Sequence, residues 1–270
     1  RGERPLGEDR LIPPDSEPRL AGAVGRYREW PATASLQGDV ACVWQHALPV
    51  AATPALQIVP DACIDIVWSG QTLLVAGPDT QPMIETFAPG TVVVGVRFRP
   101  GAASPWLGVP ASAIVNRRVP LHDLWGDDAR RLVDRLPDSR TPLAVADTVL
   151  AALLARGPLA SLQDDAAPAV LAALSRSADA PVPVSALARQ LGLSERTLRR
   201  RCEAAFGYGP KTLGRILRFQ QVLRLLRRPA DARLAEMAVE TGFADQAHMT
   251  REVRRLGGLT PGAFTALCAA

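Results

Sequence analysis

The last third of the chain writes one local pattern twice, and few folds accommodate such a repeat. In the first copy Val184–Leu191 carries Leu187, Ala188 and Leu191 on one face, as an amphipathic helix requires. Gly192-Leu193-Ser194 turns the chain, and a second helix follows with no Pro or Gly until Gly207. Ser194 stands at its N-cap, Leu198 faces inward, and Arg196, Arg199 and Arg200 project from one side at three- and four-residue spacing. In the second copy Leu234–Thr241 repeats the first helix through Leu234, Met237 and Ala238. Gly242-Phe243-Ala244-Asp245 makes the turn, and Gln246–Leu256 is the second outer helix. Helix, glycine-containing turn and helix is the helix-turn-helix motif, whose second helix enters the DNA major groove. Between the copies, Lys211–Arg228 reads as one longer helix with a broad apolar face, suited to holding them apart at a fixed distance.

An arginine-bearing helix is also what a solvated surface looks like, so the charge distribution matters. Residues 181–270 hold 15 Lys+Arg against 7 Asp+Glu, whereas residues 1–180 hold 16 against 20. A basic third beside an acidic remainder is the footprint of a chain in which one domain meets a polyanion. Lys211 is the only lysine, a bias that discounts part of the arginine signal.

The first two thirds read differently. Residues 1–20, rich in Pro, Glu, Asp and Arg, are expected to form a flexible arm. Short β-prone runs follow at Val40–Leu48, Leu56–Val59, Cys63–Trp68, Thr72–Ala76 and Val92–Phe98, the pattern of a small β-barrel or sandwich. Alternation puts Ile64, Ile66 and Trp68 on one face and Cys63, Asp65 and Val67 on the other. It likewise separates Val92, Val94, Val96 and Phe98 from Val93, Gly95, Arg97 and Arg99. After Pro100-Gly101 helices are expected at Asp127–Leu136 and Pro142–Arg156, packed on the strands or paired with a second copy of the chain. A short helix near Ala169–Ser175 follows, within a linker-like stretch at 157–183. Trp44, Asp65, Trp68 and Arg97 are the candidate ligand-binding residues; Asp65 and Arg97 equally suit a cross-strand ion pair.

Other function classes find little support. Cys42, Cys63, Cys202 and Cys268 are scattered without a CxxC pair, and His46 and His122, the latter in a loop-like context, are the only histidines of the first two thirds. Neither a disulfide framework, a metal site nor a cofactor is expected. GxSxG, HExxH and glycine-rich phosphate loops are missing from the sequence. No apolar run reaches the ~18 residues of a membrane span. No signal peptide is visible, so a cytoplasmic location is expected. The chain opens on Arg1 and not on Met, so a native N-terminus that is missing or trimmed is expected.

Ala238-x-x-x-Gly242-Phe243-x-Asp245-Gln246-x-His248-Met249-Thr250-Arg251, followed by Arg254-Arg255-x-x-Gly258-x-Thr260-Pro261-x-x-Phe264, resembles the signature of AraC/XylS-type bacterial transcription regulators. With the upstream motif the resemblance covers about 90 residues. Pro60–Asp65, Gly95–Gly101 and Pro120-Leu121-x-Asp123-Leu124-Trp125 resemble the sensor half of one subgroup. Val253 departs from the pattern, where Phe or Tyr is commoner. The resemblance implies DNA contacts from Arg196, Thr197, Arg199 and Arg200 in the first unit and Gln246, Ala247, His248, Thr250 and Arg251 in the second. Arg201, Lys211, Arg254 and Arg255 are the expected phosphate contacts, and His248 has a structural alternative inside the turn. Independently of the family, Gly242 suits a positive φ, Asp245 and Thr260 suit caps, and Pro261 suits a first helical position.

The expected architecture is α+β multidomain. It comprises a β-rich sensor or dimerisation domain with trailing helices (21–176) and an all-α DNA-binding domain (177–270), built as helix-turn-helix 184–206, linker helix 211–228 and helix-turn-helix 234–256. Expected partners are double-stranded DNA, a small-molecule effector, a second copy of the chain and, for an activator, RNA polymerase; no membrane is expected. The competing expectation is a barrel enzyme fused to a DNA-binding tail.

Overall fold

The computed structural model describes residues 24–50, 55–70, 72–136, 141–176, 182–227 and 234–269. The expected arm and Arg228, the last residue of the expected linker helix, lie outside them. Eight strands come first: β1 (Arg26–Trp30), β2 (Val40–Ala47), β3 (Ala55–Ile58), β4 (Ile64–Trp68), β5 (Leu73–Ala76), β6 (Met83–Thr86), β7 (Val92–Phe98) and β8 (Arg118–Pro120). Among them lies helix α1 (Ala103–Leu107), and after them α2 (Leu121–Trp125), α3 (Asp127–Asp134), α4 (Pro142–Arg156) and α5 (Ala167–Arg176). The C-terminal helices are α6 (Val184–Gln190), α7 (Glu195–Phe206), α8 (Pro210–Leu226), α9 (Leu234–Glu240), α10 (Gln246–Gly257) and α11 (Pro261–Ala269).

The strands form an antiparallel six-stranded sheet in the order β1-β2-β7-β4-β5-β8 and a separate ribbon, β3-β6. No ladder joins β1 to β8 among the described residues, so the arrangement is an unequal sandwich and not a closed barrel. The period-2 pattern decides the layers. Ile64, Ile66, Trp68, Val94, Val96 and Phe98 all enter one apolar core with Leu107, Trp125, Val149, Leu150 and Leu153 of the helices behind the sheet. Helix α4 lies on β7, so its apolar face is buried within its own domain. The opposite sheet face looks toward the ribbon.

Sequence reading missed β1, β6 and β8. Each is short or half-exposed, with the pattern ieie in β6 and only Val119 buried in β8, so periodicity had little to register. His122 is corrected from a loop to helix α2, where it sits 3.3 Å from Asp123 at the surface.

A second core joins the C-terminal helices: Leu187, Leu198, Phe206, Leu213, Ile216, Phe219, Met249, Val253 and Phe264. Val170 and Ala173 of α5 are buried here too, although α5 falls on the N-terminal side of residue 177. So are Val59 and Ala62 from the loop between β3 and β4. The two halves are bonded across their junction. Gln220 Nε2 on α8 donates to the Pro60 carbonyl at 2.6 Å, and Ser104 Oγ donates to the Ala204 carbonyl at 3.0 Å. Gln57 Nε2 donates to the Gly257 carbonyl at the end of α10. Gly207 lets the chains approach closely: a Cβ there would fall 2.7 Å from Val115 and 2.8 Å from Pro78.

Candidate nucleic-acid interface and ligand cavity

The two turn-and-helix units form as their sequences require. Ser194 Oγ accepts from the Thr197 backbone N–H at 3.1 Å, and Asp245 Oδ1 from that of His248 at 2.6 Å, capping α7 and α10. Gly242 has φ 70° and Phe243 plugs the junction, 6 % exposed. Thr260 Oγ1 accepts from Ala263, Pro261 opens α11, and Phe264 returns to the core. Cys202 is buried at the back of α7; burial, then Asp164 and Glu203, pushes its thiol up to about 12. It serves as a small apolar filler.

The outer faces of both helices point away from that core. Arg196, Arg199 and Arg200 are exposed, with Thr197 half-buried beside them. Gln246, Ala247, Arg251, Arg254 and Arg255 are exposed, and His248 and Thr250 are half-buried. The His248 ring stands edge-on to Phe243 at 5.3 Å, so the residue packs in the turn as well as reaching the surface. Arg199 pairs with Glu203 at 2.8 Å on the open surface, a contact too weakly held to keep it from another partner. Arg201 lies 3.5 Å from Asp164 in the turn before α5, and Lys211 is exposed at the first turn of α8.

Two contacts invisible to sequence reading fix the second helix. Arg215 of α8 grips Glu252 of α10 through both oxygens, at 2.6 and 3.1 Å. Arg218 lies 5.4 Å from the Phe243 ring, and burial lowers its pKa from the ordinary arginine value. Charges on α8 sit at spacings that suit solvent equally well, so only the fold reveals their partners.

In the N-terminal half a cavity of about 160 Å³ opens between the six-stranded sheet and the ribbon. Trp44, Asp65 and Arg97 line it, and Asp65 and Arg97 also form the cross-strand pair, doubly bonded at 2.8 Å. Trp68 is corrected: it is 4 % exposed in the core on the opposite face. Alternation along β4 forbids it from sharing a site with Asp65. Lining residues missed from sequence include Tyr27, Asp61, Asp79, Glu85, Phe87 and Arg118. They come from β1, β6, β8 and loops, the elements sequence could not place. Arg118 holds Asp79 at 2.9 Å and Glu85 at 3.0 Å. His46 also lines the cavity; its Nε2 bonds the Val24 carbonyl, and burial lowers its pKa, the bond opposing. No group of three or more His, Cys, Asp or Glu converges as metal ligands among the described residues. No single described helix is long and apolar enough to cross a membrane.

Comparison with known proteins follows this division. Residues 187–266 match the model of a helix-turn-helix domain family, of AraC type, and residues 28–120 match a domain of unknown function (DUF6597). A search of the curated proteins gives no match. Among solved structures, an AraC-type regulator from Chromobacterium violaceum is 21 % identical, covering 37 % of this chain and 88 % of its own, at TM-score 0.35. The DNA-binding domain of AdpA, solved in complex with a target DNA, is 28 % identical, with coverage of 37 % and 88 % and TM-score 0.35. ToxT from Vibrio cholerae O395 is 10 % identical, covers 84 % of this chain and 97 % of its own, and has TM-score 0.46.

Proposed function

We propose that this chain, which carries an AraC-type helix-turn-helix domain over residues 187–266, is a one-component transcription regulator. In this reading α7 and α10 read base edges in successive major-groove segments, and the N-terminal half senses a small molecule. The observation that carries it is the pair of capped helices, each with exposed Arg or Gln outward, fixed on the common helix α8 by the second core and the Arg215–Glu252 pair. Two arms on one rigid support suit one face of B-DNA, where successive major grooves lie about 34 Å apart. Arg196, Arg199, Arg200, Gln246 and Arg251 are assigned to bases. Arg201, Lys211, Arg254 and Arg255 are assigned to phosphates. The domain limits 21–176 and 177–270 are retained in this reading, with α5 as the element bridging them.

The sensor assignment rests on the cavity and on its closeness to the DNA-binding helices. Its two arginines are each paired with two carboxylates, an arrangement that suits a binding site. The test is binding-site selection on random duplexes, followed by affinity measurements on selected and scrambled DNA. Arg199→Ala is expected to relax discrimination at one base position, and Arg254→Ala to weaken both duplexes alike and lower the salt slope by about one. Equal loss on both duplexes for Arg199→Ala removes its base-reading role.

A further inference from the structure

The strand register grades the floor of the cavity. Arg118, Ala76, Asp65 and Arg97 are successive cross-strand partners on β8, β5, β4 and β7, which makes one charged row. The next row on the same face, two residues along and so about 7 Å away, is Leu74, Val67, Gly95 and Trp44. That row is apolar, and its glycine is spanned by the indole: a Cβ at Gly95 would fall 2.1 Å from Trp44 Cε2. Tyr27 stacks on Trp44 at 6.0 Å, and Phe87 adds a third lining ring. The cavity is therefore charged at one end and aromatic at the other.

The charged end is unbalanced. Asp61, Asp65, Asp79 and Glu85 line it, against Arg97 and Arg118. Each guanidinium is already shared by two carboxylates, Arg97 by Asp65 and Asp61, Arg118 by Asp79 and Glu85. An anionic ligand would have to break these bonds and face the surplus acids, whereas a cation finds a surplus of acceptors. The volume is close to the ~150 Å³ of an apolar cavity that takes benzene.

We propose that this cavity binds a small organic cation: a protonated amine seated among Asp61, Asp79 and Glu85, carried on a single-ring body lying along Trp44, Val67 and Leu74. The proposal deepens the sensor reading above and rests on it for its biological meaning, not for the binding itself. Burial holds the Asp79 carboxyl above the usual carboxylate range, against the Arg118 bond and with Asp61 and Glu85 adding to the rise. A bound cation would relieve that field and favour the ionised form.

The test is calorimetric titration of the full chain, without DNA, using three probes of one shape: 2-phenylethylamine, 2-phenylethanol and 3-phenylpropionate. The amine is expected to bind with a Kd below about 1 mM, the alcohol about tenfold weaker, and the carboxylate not measurably. Glu85→Gln is expected to weaken the amine about tenfold while leaving the Arg118–Asp79 pair in place. Trp44→Phe, which keeps the floor apolar, is expected to weaken all binding without altering the discrimination by charge. Carboxylate binding as tight as amine binding, or no amine binding by a chain with native circular dichroism, overturns the proposal. Amine binding that leaves DNA affinity unchanged upholds the ligand class and removes the sensor reading instead.

Discussion

Alanine placed at Gly214 and at Gly257 should move stability in opposite directions, although both glycines are helical and belong to the same domain. Gly214 sits inside α8, and a Cβ there would meet only Leu174 Cδ2, at an ordinary 3.7 Å. The substitution then restricts the unfolded chain and adds helix propensity, worth about 1 kcal/mol in a helix interior. Gly257 is the last residue of α10, where it crosses α8 and α11. Its added Cβ would fall 2.5 and 2.7 Å from the Phe264 ring and 3.0 Å from Phe219. Those rings meet edge to face at 6.3 Å and are both at most 1 % exposed, so neither can swing aside. Overpacking of this kind costs about 1–3 kcal/mol, which outweighs a propensity gain already diminished at a helix end. The two variants should therefore differ by about 2–3 kcal/mol, and each kcal/mol moves the melting temperature of a domain this size by about 4–8 °C. Thermal melts followed by far-ultraviolet circular dichroism measure the gap. Operator affinity should fall only for Gly257→Ala, because the crossing aims α10. Shifts of the same sign in both melts would refute the packing argument.

Asp245→Ala removes the cap of α10 and its charge at the helix N-terminus; a loss of about 1 kcal/mol is expected in denaturant unfolding, with Asp245→Asn retaining most of it. His46 has its pKa lowered from 6.5, so between the folded value and 6.5 the unfolded chain binds more protons. Its contribution to stability is intact above 6.5 and declines as pH falls through that window; comparing melts at about pH 7.5 and about pH 5.5, His46→Gln should show a shallower decline than the parent. Tyr208 is 7 % exposed and its hydroxyl has no hydrogen-bond partner among the described residues. Tyr208→Phe removes an unsatisfied polar atom and should raise stability by about 1 kcal/mol, and a loss of that size in the same unfolding assay would show that the hydroxyl is satisfied in solution.

The C-terminal domain was legible because its signals are local. Ser194, Gly242, Asp245 and Pro261 announce caps and turns within a few residues of where they act, and the apolar spacing of α8 needs no partner to be seen. The pair Asp65–Arg97 was legible for a related reason, since strict alternation in β4 and β7 leaves both on one face. Trp68 shows the cost of ignoring that rule: its aromatic character drew it into a site its own strand excludes. Asp61, Asp79, Glu85 and Arg118 were illegible because they meet only through long-range pairing. Arg118 reaches Glu85 from an edge strand of three residues, and such a strand is recognisable only once β5 is beside it. Arg215–Glu252 and Gln57–Gly257 belong to the same class.

The stretch Gln57–Asp61 joins these two kinds of information. Gln57, Val59 and Asp61 line the cavity. Yet Gln57 also donates to Gly257 at the end of α10, the Pro60 carbonyl accepts from Gln220 of α8, and Val59 enters the second core. This five-residue stretch thus borders the cavity on one side and touches both α8 and α10 on the other. Ala62, just beyond, holds φ 66° without being glycine, a conformation costing about 1–2 kcal/mol that its burial in the second core helps maintain. A net hydrogen bond is worth about 0.5–1.5 kcal/mol. Shifting this stretch therefore puts two such bonds at stake, about 1–3 kcal/mol, and release of the Ala62 strain works in the opposite direction. On the sensor reading, the two bonds set the ceiling on what occupancy of the cavity can transmit through this stretch. Coupling between distinct sites commonly runs at about 1–3 kcal/mol, or about 5–150-fold in affinity. The bonds of this stretch are large enough to carry a coupling of that size to α8 and α10, while α7 meets the N-terminal half separately, through Ser104 and Ala204.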